Sequence, residues 1–387
     1  MRKTMLTIIW PLLFLTTFAS SIQSKILIPA PPSLAANAWI LMDANTGKVL
    51  IENNADQQLP PASLTKIMTS YIVAKDLENG RINEDDKVPI SVTAWKMGGS
   101  RMFIQEGTKV LLSDLLKGVI VSSGNDASVA LAEYIAGSEN AFADIMNQQA
   151  SLLGMSGTHY SNATGWPDDG HLTTARDLAL LSRALINDYP TQYSIYAEKY
   201  FKFNNIDQTN RNSLLWRDSS VDGLKTGHTE EAGYCLVASA TRKGMRLISV
   251  VMGAKSKAAR AQESQKLLSY GFRYYETNKM YSAGDVVEKD APVWYGTENK
   301  VNLVVSENVY LTIPQGSKKD LKSKIVLNDI IEAPLTETQE LGKMSVYLDE
   351  DTLAKFPIFA EHAVDEAGIF ERLWDSLEVM FMGFFEQ

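Results

Sequence analysis

The 387-residue sequence predicts an α+β domain, followed by a small all-β domain and a C-terminal amphipathic helix. Three observations predict it. Strand-like runs occur near Ala38 and again beyond Lys225, with apolar helical segments between them, so helices cluster on an antiparallel sheet. From about Asp285 that texture gives way to short β-rich runs separated by turn residues. Between Ile369 and Phe385 apolar residues return at three- and four-residue spacing, as on one face of a helix.

Each element has a local reason. Arg2 and Lys3 precede an apolar stretch, Leu6 to Phe18, and small residues follow at Ala19, Ser20 and Ser21. This is the layout of an export signal over residues 1–21, whose apolar run is short for a membrane span of about 20 residues. Ala38 to Met42 and Lys48 to Ile51 form a hairpin around Asp43-Ala44-Asn45-Thr46-Gly47, whose Asn and Gly accept positive φ. After Pro60-Pro61, Ile67, Met68, Tyr71, Ile72 and Leu77 mark a helix that Asn79-Gly80 ends. Leu111–Ile120 and Ala127–Ile135 are further helical segments, broken by Ser122-Ser123-Gly124-Asn125. Helical spacing continues through Phe142–Leu153 and, after a Thr173-Thr174 cap, Leu178–Ile186. Tyr234–Ala240 and Leu247–Met252 are strands joined at Thr241-Arg242-Lys243-Gly244, and a helix from about Ala258 to Tyr274 closes a first domain over residues 22–284. Val293–Tyr295, Val301–Val305, Val309–Ile313, Lys324–Leu327 and Lys343–Leu348 give the β domain, residues 285–364; the tail helix occupies 365–387.

Composition excludes several classes of function. With 45% hydrophobic and 21% charged residues, the chain buries a core and is not wholly disordered. Its net charge of −9 argues against nucleic acid as a partner, which needs a Lys/Arg footprint. One cysteine, Cys235, allows neither a disulfide framework nor a cysteine zinc cluster, and four scattered histidines offer no metal centre. Cys235 lies in an apolar run and is expected in the core; His159 and His171 are expected in solvent-facing or hydrogen-bonded roles.

Three short motifs carry reactive chemistry. In Ser63-Leu64-Thr65-Lys66, a three-residue spacing on a helix start puts the lysine amine within reach of the hydroxyl. A buried lysine with a lowered pKa can take the proton of a serine nucleophile. Alone, this spacing is common by chance. Ser123-Gly124-Asn125 forces a polar loop between two apolar helices, where its hydroxyl and amide need partners. Lys225-Thr226-Gly227 opens the strand region with a cation and a hydroxyl suited to a carboxylate, and Gly227 lets a peptide approach the strand. Together and in this order they form the S-x-x-K, S-x-N, K-T-G set of penicillin-recognising serine enzymes.

In their wider context, Pro61 to Lys66, Ser123 to Ala127 and Asp222 to Thr229 closely resemble the serine D-alanyl-D-alanine carboxypeptidases, in particular the type-5 low-molecular-mass penicillin-binding proteins of Gram-negative bacteria. The resemblance covers nearly the whole chain after the leader. It implies a β-lactamase/transpeptidase-like fold in the first domain and a hydrolase that removes the terminal D-alanine of peptidoglycan pentapeptides. It implies Ser63 as the acylated nucleophile, Lys66 as its base and Ser123 as a proton relay. Asn125 would bind the peptide amide and help hold Lys66. Lys225, Thr226, Gly227 and His228 would line the substrate edge, with Arg211 and Arg260 attracting the terminal carboxylate. The backbone N–H groups of Ser63 and His228 would form the oxyanion hole. The implied partners are peptidoglycan pentapeptide, β-lactam antibiotics and, through the tail, inner-membrane lipid; no cofactor or metal is needed. The implied location is the periplasmic face of the inner membrane, with a role in wall biogenesis and cell shape.

Two rivals share parts of this pattern. A class A-like β-lactamase needs a glutamate in an E-x-x-L-N loop, absent between Ser123 and Lys225; Asp168-Asp169 occupies that interval in a turn. A non-catalytic wall-binding protein would not need all three motifs intact. The loop Met97 to Met102 is expected either to border the cleft or to be a plain surface loop. The tail departs from the family's basic character: Glu366 to Gln387 holds five acidic residues and one arginine, so its membrane affinity must come from apolar burial.

Overall fold

A computed structural model describes residues 28–328 and 330–385. The expected export signal, residues 1–21, lies outside them, as do the side chains of Phe381, Phe384 and Phe385.

The first domain is built on a five-stranded antiparallel sheet. Its strands are β1 (Ala38–Asp43), β2 (Val49–Asn53), β3 (Val221–Thr229), β4 (Gly233–Arg242) and β5 (Met245–Ala254), in the order β2-β1-β5-β4-β3. The hairpin read from the sequence is present; β3 begins at Val221, four residues before the lysine expected to open the strand region. Alternation sorts the sheet residues between two cores. Ile40, Met42, Val237, Ile248, Val250 and Met252 pack with the helices on one face, as does Cys235. Trp39, Leu41, Leu236, Leu247 and Val251 pack on the other, against Leu267 and Leu268.

Helices α1 (Lys66–Glu78), α2 (Leu112–Lys117), α3 (Asn125–Ala136), α4 (Glu139–Leu152) and α5 (Ala175–Asp188) cover the first face; α6 (Lys257–Tyr274) covers the second. The predicted helix over 111–120 is split: α2 stops at Lys117, and a wider π turn, Gly118–Ser122, leads to Ser123 in the left-handed conformation at φ 60°. That underwound stretch ends the apolar helix inside the protein and turns the Ser123 loop back toward α1. The side chains of Ser138 and Thr174 cap α4 and α5 by accepting from backbone N–H groups three residues on.

The second domain contains β6 (Tyr275–Tyr281), β7 (Val286–Trp294), β8 (Lys300–Val304), β9 (Val309–Pro314), β10 (Leu321–Leu327), β11 (Ile331–Glu332), β12 (Gly342–Leu348) and β13 (Asp351–Ala360). Six pair in the order β10-β12-β13-β8-β7-β11, and β6 pairs with β9. The sequence reading put Tyr275–Tyr281 in the first domain, but its hydrogen bonds are with β9 of the second. Buried Asp43 ties the two domains, accepting from Thr277 Oγ1 at 2.6 Å, while Thr46 Oγ1 lies 2.7 Å from Thr312 Oγ1.

Helix α7 (Ile369–Phe385) ends the described chain. Asp375 accepts from the Tyr295 N–H at 2.6 Å, which seats the polar side on the β domain, while Ile369 and Phe370 remain 75% and 89% exposed. Among the described residues no helix is long and apolar enough to cross a membrane.

Candidate active site

The three motifs converge where α1, the Ser123 loop and edge strand β3 meet. Ser63 lies in a tight 3₁₀ turn, Ala62–Thr65, immediately ahead of α1, rather than inside the helix. Ala62 is held at φ 48° and the next turn runs into α1, so the Ser63 hydroxyl sits at a helix start. Opposite, Gly227 of β3 is so close that a side chain there would meet the Pro61 carbonyl at 3.0 Å and Leu64 Cγ at 3.2 Å. The glycine of K-T-G therefore lets the strand lie against the nucleophile turn.

Lys66 is fully buried, and its amine has three neighbours: Asn125 Oδ1 at 2.7 Å, the Thr164 carbonyl at 2.5 Å and Ser63 Oγ at 3.3 Å. Burial, and then the nearby Arg211, lower its pKa to about 7, against the opposing pull of Asp126 and Glu139. A neutral amine has two N–H groups and one lone pair. The two oxygens without protons to give, Asn125 Oδ1 and Thr164 O, take the N–H groups, which leaves the lone pair facing the Ser63 hydroxyl. That is the geometry of a general base on a serine nucleophile.

Buried Lys225 donates to Ser123 Oγ at 2.8 Å and to the Thr226 carbonyl at 3.2 Å, joining the second motif to the third. Its pKa is pushed well down, by burial first and then by Lys66, Arg211 and Arg260. Two lysines and two arginines, Lys66, Lys225, Arg211 and Arg260, thus crowd one region of a chain whose net charge is negative, and each one's positive charge is disfavoured by the others. Such a pocket favours a carboxylate. Arg211 is exposed and donates to Ser100 Oγ at 2.6 Å across the mouth. Arg260 is buried on α6, where it donates to the Gly227 carbonyl at 3.0 Å and lies 5.8 Å from the Tyr234 ring centroid. It therefore backs β3, whereas Arg211 stands at the entrance. Thr226 is buried; His228 is exposed at the rim, tilted against Tyr234 with ring centroids 4.0 Å apart and planes at 37°. As the sheet edge, β3 has one hydrogen-bonding side open to an extended peptide.

Several supporting residues were missed by sequence reasoning. Asp126 accepts from the N–H groups of Met102, Phe103 and Ile104, and Asn125 holds the same loop through Gly98 O at 2.8 Å and Ser100 O at 2.7 Å. The Met97–Met102 loop therefore does border the cleft. Thr164, which supplies the carbonyl to Lys66, belongs to a loop wound around Asn162 Oδ1, the acceptor for Thr164, Gly165 and Trp166 N–H groups. Gly165, at φ 80°, passes so close to the nucleophile turn that a Cβ would sit 1.8 Å from Ala62 O. His171, expected in a solvent-facing or hydrogen-bonded role, is buried, hydrogen-bonded and bridges both parts. Its Nδ1 accepts from Ser161 N at 3.2 Å, which leaves Nε2–H to donate to Thr65 Oγ1 at 2.8 Å. Burial lowers its pKa to about 4. Asp168 accepts from Ser161 Oγ and Gly170 N at the surface, so it fastens its own turn and does not take the place of a water-activating glutamate.

Comparison with known proteins agrees with this geometry. Residues 25–256 match a family model described as D-alanyl-D-alanine carboxypeptidase, and residues 275–366 match the C-terminal domain of penicillin-binding protein 5. The chain is 44% identical over 375 residues to the D-alanyl-D-alanine carboxypeptidase DacA of Escherichia coli K12, covering 95% of this chain and 93% of that one. It is 42% identical to DacA of Haemophilus influenzae, over 99% of each. Penicillin-binding protein 5 from Haemophilus influenzae superposes with a TM-score of 0.83 at 43% identity, covering 87% of this chain and all of that one. Penicillin-binding protein 6B from Escherichia coli gives 0.72 at 38% identity, covering 85% and 96%. The chain belongs to the D-alanyl-D-alanine carboxypeptidase family of penicillin-binding proteins and is a serine D,D-carboxypeptidase of the bacterial cell wall.

Proposed function

We propose that Ser63 attacks the carbonyl carbon of the D-Ala–D-Ala peptide bond of a peptidoglycan stem pentapeptide. Lys66 takes the Ser63 proton as the C–O bond forms, and the tetrahedral oxyanion is held by the backbone N–H groups of Ser63 and His228. Ser123, bonded to Lys225, relays the proton held by Lys66 to the departing amine, giving its own and receiving the one from Lys66, so the C–N bond breaks, D-alanine leaves and Lys66 is neutral again. Water then attacks the acyl-enzyme ester and returns the proton to Ser63. Arg211, Lys225 and Thr226 receive the terminal carboxylate, Asn125 the peptide amide, and Gly227 leaves room for the backbone; Arg260 acts through Gly227. The single observation that carries this reading is the Lys66 amine, whose two N–H groups are engaged and whose third direction meets Ser63 Oγ at 3.3 Å. No metal or organic cofactor is required, because Lys66 supplies the base. A β-lactam presents a strained amide with a carboxylate in the same relation and leaves Ser63 acylated.

D-alanine release from a soluble pentapeptide tests these roles. Ser63→Ala is expected to abolish it and Lys66→Ala to slow it about 10²–10⁴-fold. Equal release by wild type and Ser63→Ala would remove the assignment.

The same reading places the enzyme in the periplasm, exported by residues 1–21, with its first two domains meeting at Tyr275 and α7 lying on the outer surface of the inner membrane. The exposed apolar face of α7 supports this, and its acidic balance points to apolar burial as the source of affinity. A chain ended after Ala367 is expected in the soluble fraction of lysed cells; membrane pelleting equal to the full chain would refute the anchor.

A further inference from the structure

The second domain carries a charge pattern that catalysis does not use. Between Tyr275 and Glu366 there are 17 acidic residues, nine lysines and no arginine, a balance of −8. Yet six of the nine lysines gather at one end of the sheet: Lys318 and Lys319 in the turn before β10, Lys322 and Lys324 on β10, Lys343 on β12 and Lys355 on β13.

The register fixes which of them share a face. Lys324 pairs with Ser345, which pairs with Lys355; Val326 pairs with Lys343, and Lys322 with Tyr347. The intervening positions, Ile325, Met344, Val346 and Phe356, pack in the core. Side chains alternate along a strand, so Lys322, Lys324, Lys343 and Lys355 project from the outward face, and all four are exposed. Strands lie about 4.8 Å apart, which puts the Lys324 and Lys355 backbones only about 10 Å from each other. Among the described residues, Lys343 has an ion pair, with Glu340 at 3.6 Å, while Lys322, Lys324 and Lys355 have none. Acidic residues border this end, Asp320 beside Lys319 and Asp349, Glu350 and Asp351 at the β12–β13 turn, but the charged side chains on the strand face itself are the four lysines, and such a face on an acidic domain fits a ligand with repeated negative charge.

We propose that this lysine face binds the carboxylates of wall peptidoglycan and holds the enzyme on its polymeric substrate. The identity of the polymer rests on the carboxypeptidase reading; the binding face does not. Two features favour the wall over lipid. Stem peptides present carboxylates at many points along one polymer, which matches several lysines on one rigid sheet. The face also stands on the three strands farthest in pairing order from β11, where Glu332 borders α7 together with acidic Glu366. The domain is thus polar, with an apolar and acidic end at the tail helix and a basic end away from it. A second attachment to the polymer raises the local concentration of stem peptides at the cleft.

The test is cosedimentation of the full chain with purified peptidoglycan sacculi already trimmed by wild-type enzyme, so that no pentapeptide ends remain for the cleft. Replacing Lys322, Lys324, Lys343 and Lys355 together by Gln is expected to weaken pelleting about tenfold, and 0.5 M NaCl is expected to do the same to wild type. Release of D-alanine from a soluble pentapeptide stays unchanged, which also separates this proposal from failure of the carboxypeptidase reading. The double variant Lys324→Gln/Lys355→Gln serves if the quadruple one does not fold, with a smaller loss in the same direction. Undiminished, salt-insensitive pelleting of the variants overturns the proposal. So does a loss confined to phosphatidylglycerol vesicles, because the occupant is then lipid.

Discussion

Acidification is predicted to switch off acylation along one limb set by Lys66. The amine must be neutral to take the Ser63 proton, and burial places its pKa at about 7. About half of the enzyme is then active at pH 7, about 1% at pH 5 and nearly all at pH 9, a fall of about fiftyfold between pH 7 and 5. The sign follows from the group: a base whose pKa is depressed gains its neutral form as pH rises. Arg211 is the second cause of the depression, so Arg211→Gln is expected to move the limb to higher pH, whatever it does to the plateau through substrate binding. The assay is stopped-flow acylation by a fluorescent penicillin between pH 5 and 10, read as the second-order rate constant. A flat profile, or a limb near the ordinary lysine value of 10.5 in wild type, would refute the argument that a neutral, buried Lys66 is the base. So would an Arg211→Gln limb shifted to lower pH.

Other perturbations follow from the same geometry. Gly165→Ala forces a Cβ into the Ala62 carbonyl at positive φ. It is expected to cost about 1–3 kcal/mol in urea unfolding and to slow acylation about a hundredfold by displacing the nucleophile turn. Little change in either would mean that the loop yields without moving Ser63. His171, neutral in the fold with a pKa of about 4 against 6.5 in the unfolded chain, contributes stability present above pH 6.5 and lost as pH falls toward 4. Its linkage amounts to about 3 kcal/mol, so His171→Gln should flatten the acid side of the stability profile by roughly that much, and parallel profiles would contradict the assignment.

The sequence made the motifs visible because each is a run of neighbouring residues with distinctive side chains. Ser63, Lys66, Ser123, Asn125 and Lys225 all meet where expected. What it hid was the partner of Lys66 from Thr164: a backbone carbonyl has no side-chain signature, and 98 residues separate the two. Gly165 and His171 were hidden for the same reason, since their meaning lies in what they touch across the cleft. The Tyr200–Phe203 and Ile206–Thr209 hairpin did leave a signal, Asn204-Asn205, both at positive φ as its turn demands. In the second domain, β7 was shortened in the reading because Glu288-Lys289-Asp290 interrupts its alternation at a register shift. Strand β13 contains Pro357, a residue that argues against a strand when only the sequence is read. The sheet boundary at Tyr275 was obscured because α6 runs directly into β6 without a turn.

One covalent bond, from Ser63 to the acyl group, carries the mechanism, and mass spectrometry of the full chain after brief exposure to benzylpenicillin tests it most directly. A penicilloyl adduct on the proteolytic peptide that contains Ser63, lost in Ser63→Ala, is the predicted result. An adduct on a peptide containing Ser123 instead, or one that persists in Ser63→Ala, would contradict it.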